Sequence, residues 1–260
     1  MQPKALILHT TGTNRDHDAA QALALAGAEP EIVHLNQLRS GEKSWQDYQL
    51  LVLPGGFSYA DALGAGKLLA LELKVYFAGE VRAFVRSGKP VIGICNGFQA
   101  LVKSGILPDP TANGSNPTTT LTFNASGHFE CRWVTLQPQS KTCLWTRNLT
   151  EPILCPVAHG EGNFVAQQAQ TASYLKTNGQ IALVYSLPDG SPARGHYPQN
   201  PNGSVMDIAG ICNPEGNVLG LMPHPENHIF ANQHPRWSRG EAGGSGLPLF
   251  ENGVRYASQL

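Results

Sequence analysis

Short apolar runs alternate with segments of helical periodicity through the first hundred residues of the chain. The runs are rich in aliphatic side chains and are bounded by glycine, proline or polar residues, as expected of buried strands. They cover residues 4–9, 31–35, 50–53 and 90–94. Helix-like patterns cover residues 16–26, 67–86 (broken by Gly79) and 98–105. This alternation predicts βαβ units, and therefore an α/β fold in which a mostly parallel sheet carries helices on both faces.

The second half of the chain is predicted to be rich in β-structure. Strand-like runs occur at residues 129–136, 153–157, 181–186, 205–211 and 218–222. Residues 109–126, rich in threonine, asparagine and proline, are predicted as a loop. Residues 227–248 are polar and contain several glycines, which predicts an ordered surface loop or a segment that docks a partner. Since no repeat or low-complexity linker divides the sequence, residues 1–260 are predicted to form a single domain.

Composition narrows the classes of function. The 260 residues are 41% hydrophobic, enough for a sizeable core. A net charge of −1 gives no electrostatic reason to expect binding to nucleic acid or to an anionic membrane. No apolar run approaches the ~20 residues of a transmembrane helix. The five cysteines are an odd number without a C-x-x-C pair, which disfavours a disulfide framework or a metal site and favours a reducing cytoplasm.

Cys95 occupies the most distinctive local pattern. It lies at a predicted strand-to-helix corner in the sequence Gly93-Ile-Cys95-Asn-Gly97, which is the G-x-S-x-G nucleophile elbow with sulfur in place of oxygen. Glycines are needed there because the turn brings the flanking backbones together. A helix N-terminus would also favour a thiolate. The alternative is that Cys95 is a small buried hydrophobic residue, as most free cysteines are.

Two further loops offer the other parts that a cysteine nucleophile needs. His224 follows an apolar strand, and Glu226 two residues later is placed to orient the imidazole. The Gly55-Gly56 pair also follows a strand, and its backbone N–H groups, with that of Asn96, are candidate oxyanion donors. In a parallel sheet these loops meet at one edge. Each motif alone has an ordinary explanation, as a surface His-Pro turn or a simple glycine turn.

Taken in order, the three loops resemble those of the class I (triad) glutamine amidotransferases. The flanking sequence narrows the resemblance to the glutaminase components of phosphoribosylformylglycinamidine synthase, in purine biosynthesis. The stretches that carry it are Gly55-Gly-Phe-Ser-Tyr-Ala-Asp61, Phe129-Glu-Cys-Arg-Trp133, Pro156-Val-Ala-His-Gly-Glu-Gly162, Asn200-Pro-Asn-Gly-Ser204 and Asp207-Ile-Ala-Gly210. They span nearly the whole chain.

The resemblance implies a role for each matching residue. Cys95 would attack glutamine to form a γ-glutamyl thioester, His224 would transfer the protons, and Glu226 would support the imidazolium. Gly56 and Asn96 would hold the oxyanion through their backbones. Gln99, His159 and Glu161 match positions at the bound glutamine. Alternatively, Gln99 is a residue of the helix surface, and His159 and Glu161 keep their loop in shape.

The resemblance also implies a partner. The sequence has no G-x-x-x-x-G-K-[ST] loop, so no cofactor is expected on this chain, and ATP and Mg are expected on a separate synthetase chain that receives the ammonia. Whether a small accessory subunit joins them is open.

Three other functions are compatible with the residues alone. One is a cysteine hydrolase of γ-glutamyl chains or peptides on a similar scaffold. Another is a non-catalytic module, which the intact cysteine, histidine and glutamate argue against. The third is a glutaminase that serves a different synthetase.

Overall fold

The computed structural model describes residues 2–109 and 118–260. In these ranges the chain forms a nine-stranded sheet, a separate two-stranded sheet and seven α-helices. The strands are β1 Lys4–His9, β2 Glu29–His34, β3 Leu50–Leu53, β4 Val91–Ile94, β5 Thr119–Thr122, β6 Glu130–Pro138, β7 Ile153–His159, β8 Asn163–Ala166, β9 Ile181–Ser186, β10 Ile208–Cys212 and β11 Val218–Leu221. The helices are α1 Asp16–Leu25, α2 Leu35–Arg39, α3 Lys67–Val75, α4 Ala78–Arg86, α5 Asn96–Lys103, α6 Ala169–Thr177 and α7 Leu247–Ala257.

The large sheet has the strand order β2-β1-β3-β4-β11-β10-β9-β6-β7. Its first five strands pair in parallel, and the remaining pairings are antiparallel. Strands β3, β4 and β11 are buried at every residue. Their unbroken apolar sequences are therefore explained by burial on both faces of the sheet.

Helices cover both faces of the parallel part. Helix α1 connects β1 to β2, while α3 and α4 connect β3 to β4. The two connections run in opposite directions along the sheet. Because crossovers between parallel strands are right-handed, their helices lie on opposite faces. The predicted α/β fold is confirmed.

Several local predictions are wrong. The helical segment 67–86 is broken at Tyr76 and Phe77, and Gly79 lies inside α4. Strand β5 lies within the stretch predicted as a loop, of which residues 110–117 fall outside the described part. Residues 205–207 form a turn before β10. Strand β8 and helices α6 and α7 were not predicted, and Pro248 belongs to α7.

Residues 227–248 form a succession of short turns on the surface that ends in α7. Both ends of this segment are fastened to Leu154 of β7. His228 Nδ1 lies 2.5 Å from the Leu154 carbonyl oxygen. Ser245 Oγ donates to the same oxygen at 2.9 Å and accepts from the Leu154 N–H at 3.0 Å. These contacts fasten both ends of the segment to β7, and its predicted role as a surface loop or a docking segment stays a prediction.

Within the described residues, no helix combines the length and hydrophobicity that crossing a bilayer would require.

Candidate active site

The turn between β4 and α5 holds Cys95 in a strained backbone conformation. Cys95 has φ 49° and ψ −102°, which a non-glycine residue rarely adopts. A Cβ atom at Gly93 would lie 2.8 Å from the Gly97 carbonyl oxygen, and one at Gly97 would overlap the Leu53 carbonyl oxygen of β3. Both glycines are therefore required by the close approach of the backbones, as the elbow pattern predicts.

Neighbouring strands hold this turn on both sides. The Cys95 N–H donates to the carbonyl oxygen of Leu221, at the end of β11, at 2.8 Å. The Cys95 sulfur is 3.8 Å from the Ala158 carbonyl oxygen of β7. Only 5% of Cys95 is exposed. The sulfur thus lies where the parallel part of the sheet meets strand β7.

His224 and Glu226 form a buried pair directly after β11. His224 Nδ1 lies 2.7 Å from Glu226 Oε1, and the two residues are 3% and 1% exposed. The His224 N–H donates to the Pro156 carbonyl oxygen of β7 at 2.8 Å. Main chain and side chain of this histidine are therefore both fixed.

The structure brings His224 and Cys95 together. The Nε2 atom of His224 is buried and makes no hydrogen bond of ordinary geometry within the described residues. Burial alone would lower the pKa of His224, but the Glu226 carboxylate and then the nearby Cys95 sulfur raise it to about 10. The histidine therefore carries its proton at neutral pH, beside the sulfur.

The predicted Gly55-Gly56 loop packs directly on this histidine. A Cβ atom at Gly55 would lie 2.6 Å from Cε1 of His224, so only glycine allows the imidazole so close. Gly56 has φ +128°, and a Cβ there would lie 2.7 Å from the Asn14 backbone nitrogen. The loops that follow β1, β3, β4 and β11 therefore meet at one edge of the sheet.

Asn96, the residue after the sulfur, ties the elbow to the loop that follows β3. Its Oδ1 accepts from Ser58 Oγ at 2.5 Å, and its Nδ2 donates to Asp61 Oδ1 at 2.8 Å. Asn96 is also the first residue of α5, so its backbone N–H has no partner within the helix. This arrangement leaves that N–H as the second candidate oxyanion donor.

A cleft of about 170 Å³ opens in front of the Cys95 sulfur. It is smaller than the pockets that hold drug-sized ligands, and its size suits an amino acid. The lining residues are Gly56, Phe57, Asp61, Ala65, Cys95, Gln99, Phe123, Phe129, Ala158, His159, Gly160 and Glu161. Sequence reasoning missed the aromatic part of this wall, where the rings of Phe57 and Phe129 stack with centroids 6.5 Å apart.

Comparison with known proteins identifies the family. A profile of the CobB/CobQ-like glutamine amidotransferase domain matches residues 2–257. The chain is 56% identical to the phosphoribosylformylglycinamidine synthase subunit PurQ of Treponema denticola, over 98% of this chain and 99% of the relative. It is 43% identical to the PurQ subunit of Dehalococcoides mccartyi, over 99% and 98%. The solved structure of PurLQS from Thermotoga maritima matches with a TM-score of 0.74 at 32% identity, covering 98% of this chain and 99% of that one.

The chain belongs to the PurQ family of glutamine amidotransferases. The family predicted from the three loops and their flanking motifs is thereby confirmed.

In this amidotransferase, Gln99 and Glu161 stabilise the wall of the cleft through hydrogen bonds to the neighbouring chain. Gln99 is 2% exposed, so it is not a residue of the helix surface, and its Nε2 donates to the Glu161 carbonyl oxygen at 2.7 Å. Glu161 Oε1 accepts from the Ala65 N–H at 3.1 Å, and its Oε2 lies 3.5 Å from Lys103 Nζ. Both side chains therefore already have protein partners.

His159 is a buried wall residue of the same cleft. Its ring packs flat against Gly162, where any Cβ would overlap it. Burial, and then the positive charge of nearby His224, lower the pKa of His159 to about 3. This histidine is therefore neutral at physiological pH, in contrast to His224.

The Asn200–Ser204 motif, one of the stretches that carry the PurQ resemblance, lies behind the cleft wall. Ser204 Oγ accepts from the Phe164 N–H at 2.9 Å, donates to Asn202 Oδ1 at 2.7 Å and lies 3.4 Å from the Gly162 carbonyl oxygen. The Asn202 carbonyl oxygen accepts from the Ala125 N–H at 2.9 Å. The motif therefore supports the wall from behind.

Proposed function

We propose that this chain hydrolyses glutamine to glutamate and ammonia through a thioester on Cys95. The observation that carries the proposal is the convergence of a sulfur, an imidazole and a buried carboxylate at the mouth of an amino-acid-sized cleft. The PurQ relatives are named as subunits of phosphoribosylformylglycinamidine synthase, which supports the same assignment here.

The first half of the reaction releases ammonia. The Cys95 thiolate attacks the carboxamide carbon of glutamine, and the carbonyl electron pair moves onto the oxygen. The backbone N–H groups of Gly56 and Asn96 stabilise that oxyanion, a contribution of about 2.7–4 kcal/mol for each donor. When the oxyanion collapses, the C–N bond breaks and His224 gives its proton to the departing nitrogen.

The second half regenerates the enzyme. Neutral His224 takes a proton from water, the hydroxide attacks the thioester carbon, and the C–S bond breaks to release glutamate. Glu226 keeps the imidazole in position and stabilises its charge in both steps. Dividing the cleavage of an unreactive amide into two steps makes each barrier lower.

The ammonia is passed to a separate ATP-dependent synthetase chain, in this proposal. The Thermotoga maritima match is described as PurLQS, which supports a PurL-type chain as the partner and leaves a place for a small third subunit. ATP and Mg belong to that partner, and this chain needs no cofactor of its own. All five cysteines are free thiols, which supports a reducing cytoplasm as its location.

Reconstitution with the synthetase chain of the same organism tests the proposal. We expect Cys95→Ala to lower glutamine-dependent synthesis by roughly 10³-fold or more, because no other group can form the thioester. Synthesis driven by added ammonium should be unchanged. Cys131→Ala removes an exposed thiol outside the cleft and should leave both activities intact. Glutamine-dependent synthesis that survives Cys95→Ala, or turnover of γ-glutamyl peptides in preference to glutamine, would contradict the proposal.

A further inference from the structure

Asn124 is a buried polar residue that makes several hydrogen bonds beside His159 in the wall of the cleft. It is 3% exposed, and its backbone N–H donates to the Gly160 carbonyl oxygen at 2.9 Å. Its side-chain Nδ2 donates to the carbonyl oxygens of His159 and His128, both at 2.8 Å. Its Oδ1 accepts from the Gly162 N–H at 2.9 Å and lies 3.1 Å from His159 Nδ1. Asn124 therefore fixes the 159–162 turn at His159, Gly160 and Gly162.

These contacts fix the orientation of the Asn124 amide. The carbonyl oxygens of His159 and His128 can only accept, so the amide nitrogen must face them. The Gly162 N–H can only donate, so the amide oxygen must face it. The same oxygen faces His159 Nδ1, and two acceptors cannot share a hydrogen bond. His159 must therefore carry its proton on Nδ1.

The other ring nitrogen of His159, Nε2, is left as an acceptor without a partner among the described residues. With the proton on Nδ1, Nε2 of neutral His159 is an acceptor. This atom is buried and has no hydrogen-bond partner among the residues that the structure describes. A buried polar atom without a partner is costly, so the lone pair is a candidate contact for a ligand.

The position of His159 in the cleft indicates the ligand. His159 lines the cleft that contains Cys95, and the carbonyl oxygen of the preceding residue, Ala158, is 3.8 Å from the sulfur. Glutamine carries N–H donors at both ends, an α-ammonium group and a carboxamide. Its product, glutamate, has lost the carboxamide N–H.

We propose that Asn124 is a positioning residue that holds His159 as the Nδ1–H tautomer, so that Nε2 accepts a hydrogen bond from an N–H group of the bound glutamine. The proposal rests on the proposed function for its ligand. The burial that lowers the pKa of His159 to about 3 also keeps Nε2 unprotonated at neutral pH. Replacing the Asn124 amide by a carboxylate would favour the imidazolium and remove the acceptor.

The tautomer can be read directly by long-range ¹H–¹⁵N NMR on the full-length, ¹⁵N-histidine-labelled chain, with the His159 signals assigned by their loss in His159→Gln. Between about pH 6 and pH 8, where ordinary histidines titrate, we expect Nδ1 protonated, Nε2 unprotonated and no titration. A proton on Nε2, or a His159 that titrates in this range, would overturn the proposal. This measurement is made on the wild-type chain and needs no glutaminase activity.

Asn124→Asp tests the positioning role. We expect the His159 titration to move upward into the observable range, together with a KM for glutamine raised about tenfold and a smaller change in kcat. Asn178→Asp is the matched control, because Asn178 is exposed at the end of α6 and its side-chain amide donates to the Tyr174 carbonyl oxygen of the same helix. If Asn124→Asp leaves both the titration and the KM at wild-type values, the positioning role is wrong.

Two glutamine analogues show which N–H group of the substrate donates to His159, when the kcat/KM of His159→Leu is compared with that of the wild type. Glutaramate keeps the carboxamide and lacks the α-ammonium group, whereas the γ-methyl ester of L-glutamate keeps the ammonium and lacks the amide N–H. The loss in kcat/KM should be about tenfold with glutamine and should vanish with the analogue that lacks the donor. An equal loss with all three substrates would assign His159 a structural role only. If the wild-type chain hydrolyses none of them, the proposed function fails while the NMR result still decides the tautomer.

Discussion

At the scale of single residues, the pKa values of two histidines in one site are shifted in opposite directions. His224 is held between the Glu226 carboxylate and the Cys95 sulfur, which raise its pKa to about 10 against the effect of burial. His159 is equally buried but faces an amide rather than a carboxylate, and its pKa falls to about 3. One imidazole can therefore give a proton to departing ammonia while the other remains a neutral acceptor.

The pH dependence of stability tests the His224–Glu226 pair. A histidine whose folded pKa lies above its unfolded value of about 6.5 stabilises the native state fully below that pH, and the contribution is lost as the pH rises to about 10. We expect the free energy of unfolding of the wild type to exceed that of Glu226→Gln most at or below about pH 6.5, with the difference shrinking toward pH 10. Urea unfolding at a series of pH values measures it. A difference that is independent of pH would contradict the pairing.

The residues that the sequence predicted share a property that Asn124 lacks. Cys95 and His224 lie in short local patterns, a glycine-flanked corner and a His-Pro-Glu turn after a strand, whose geometry follows from the neighbouring residues. Asn124 meets its partners in the 159–162 turn through a separation of more than thirty residues, and nothing in a threonine-rich stretch distinguishes it. Asp61 and Phe129 lie in stretches that carry the family resemblance, but no local pattern places their side chains in the cleft.

At the scale of elements, the corner between β4 and α5 depends on how closely it packs on β3. The Leu53 carbonyl oxygen occupies the space in which a side chain at residue 97 would begin. No rotamer change can relieve this overlap, because the backbone fixes the position of a Cβ atom and its partner is a backbone oxygen. The position of the sulfur therefore depends on a glycine two residues away.

Gly97→Ala tests this dependence. We expect it to lower the free energy of unfolding by about 1–3 kcal/mol, as overpacking does, and to lower glutaminase activity because the elbow is displaced. Gly79→Ala is the matched control, since Gly79 is an exposed helical residue with open space around it. At that position the same change should leave the free energy of unfolding unaltered or raise it by up to about 1 kcal/mol. Equal effects of the two substitutions on activity would contradict the packing argument.

Prediction of elements succeeded where the pattern is local and failed where a tertiary contact decides. The strands 4–9, 50–53 and 181–186 have the predicted bounds because apolar runs of that length have few alternatives. Helix α7 was missed, and the loop predicted for residues 227–248 overlaps its first turn. Proline is compatible with a first helical turn, and Gly253 is there because the Trp145 ring packs where its Cβ would lie.

At the scale of the molecule, the site is assembled from both parts of the sheet. The parallel part supplies the loops that carry Gly56, Cys95 and His224. The antiparallel part supplies β7, whose Pro156 and Ala158 carbonyl oxygens lie against His224 and the sulfur. The loops of the parallel part could be predicted from the sequence, because the carboxyl ends of parallel strands lie at one edge of the sheet. No local pattern predicts the side supplied by β7, because β7 reaches the site through the order of the strands; only the family resemblance placed His159 and Glu161 at the bound glutamine.

The most direct test of the central claim, that Cys95 and His224 act together on glutamine, is covalent labelling of the intact chain with a glutamine-mimicking diazoketone, followed by peptide mapping. We expect the label on Cys95, slowed by excess glutamine and slowed strongly in His224→Ala, while the exposed Cys131 stays unmodified. A label on Cys131, or a Cys95 reaction that neither glutamine nor the loss of His224 slows, would show that the two side chains do not form one glutamine-binding, reactive unit.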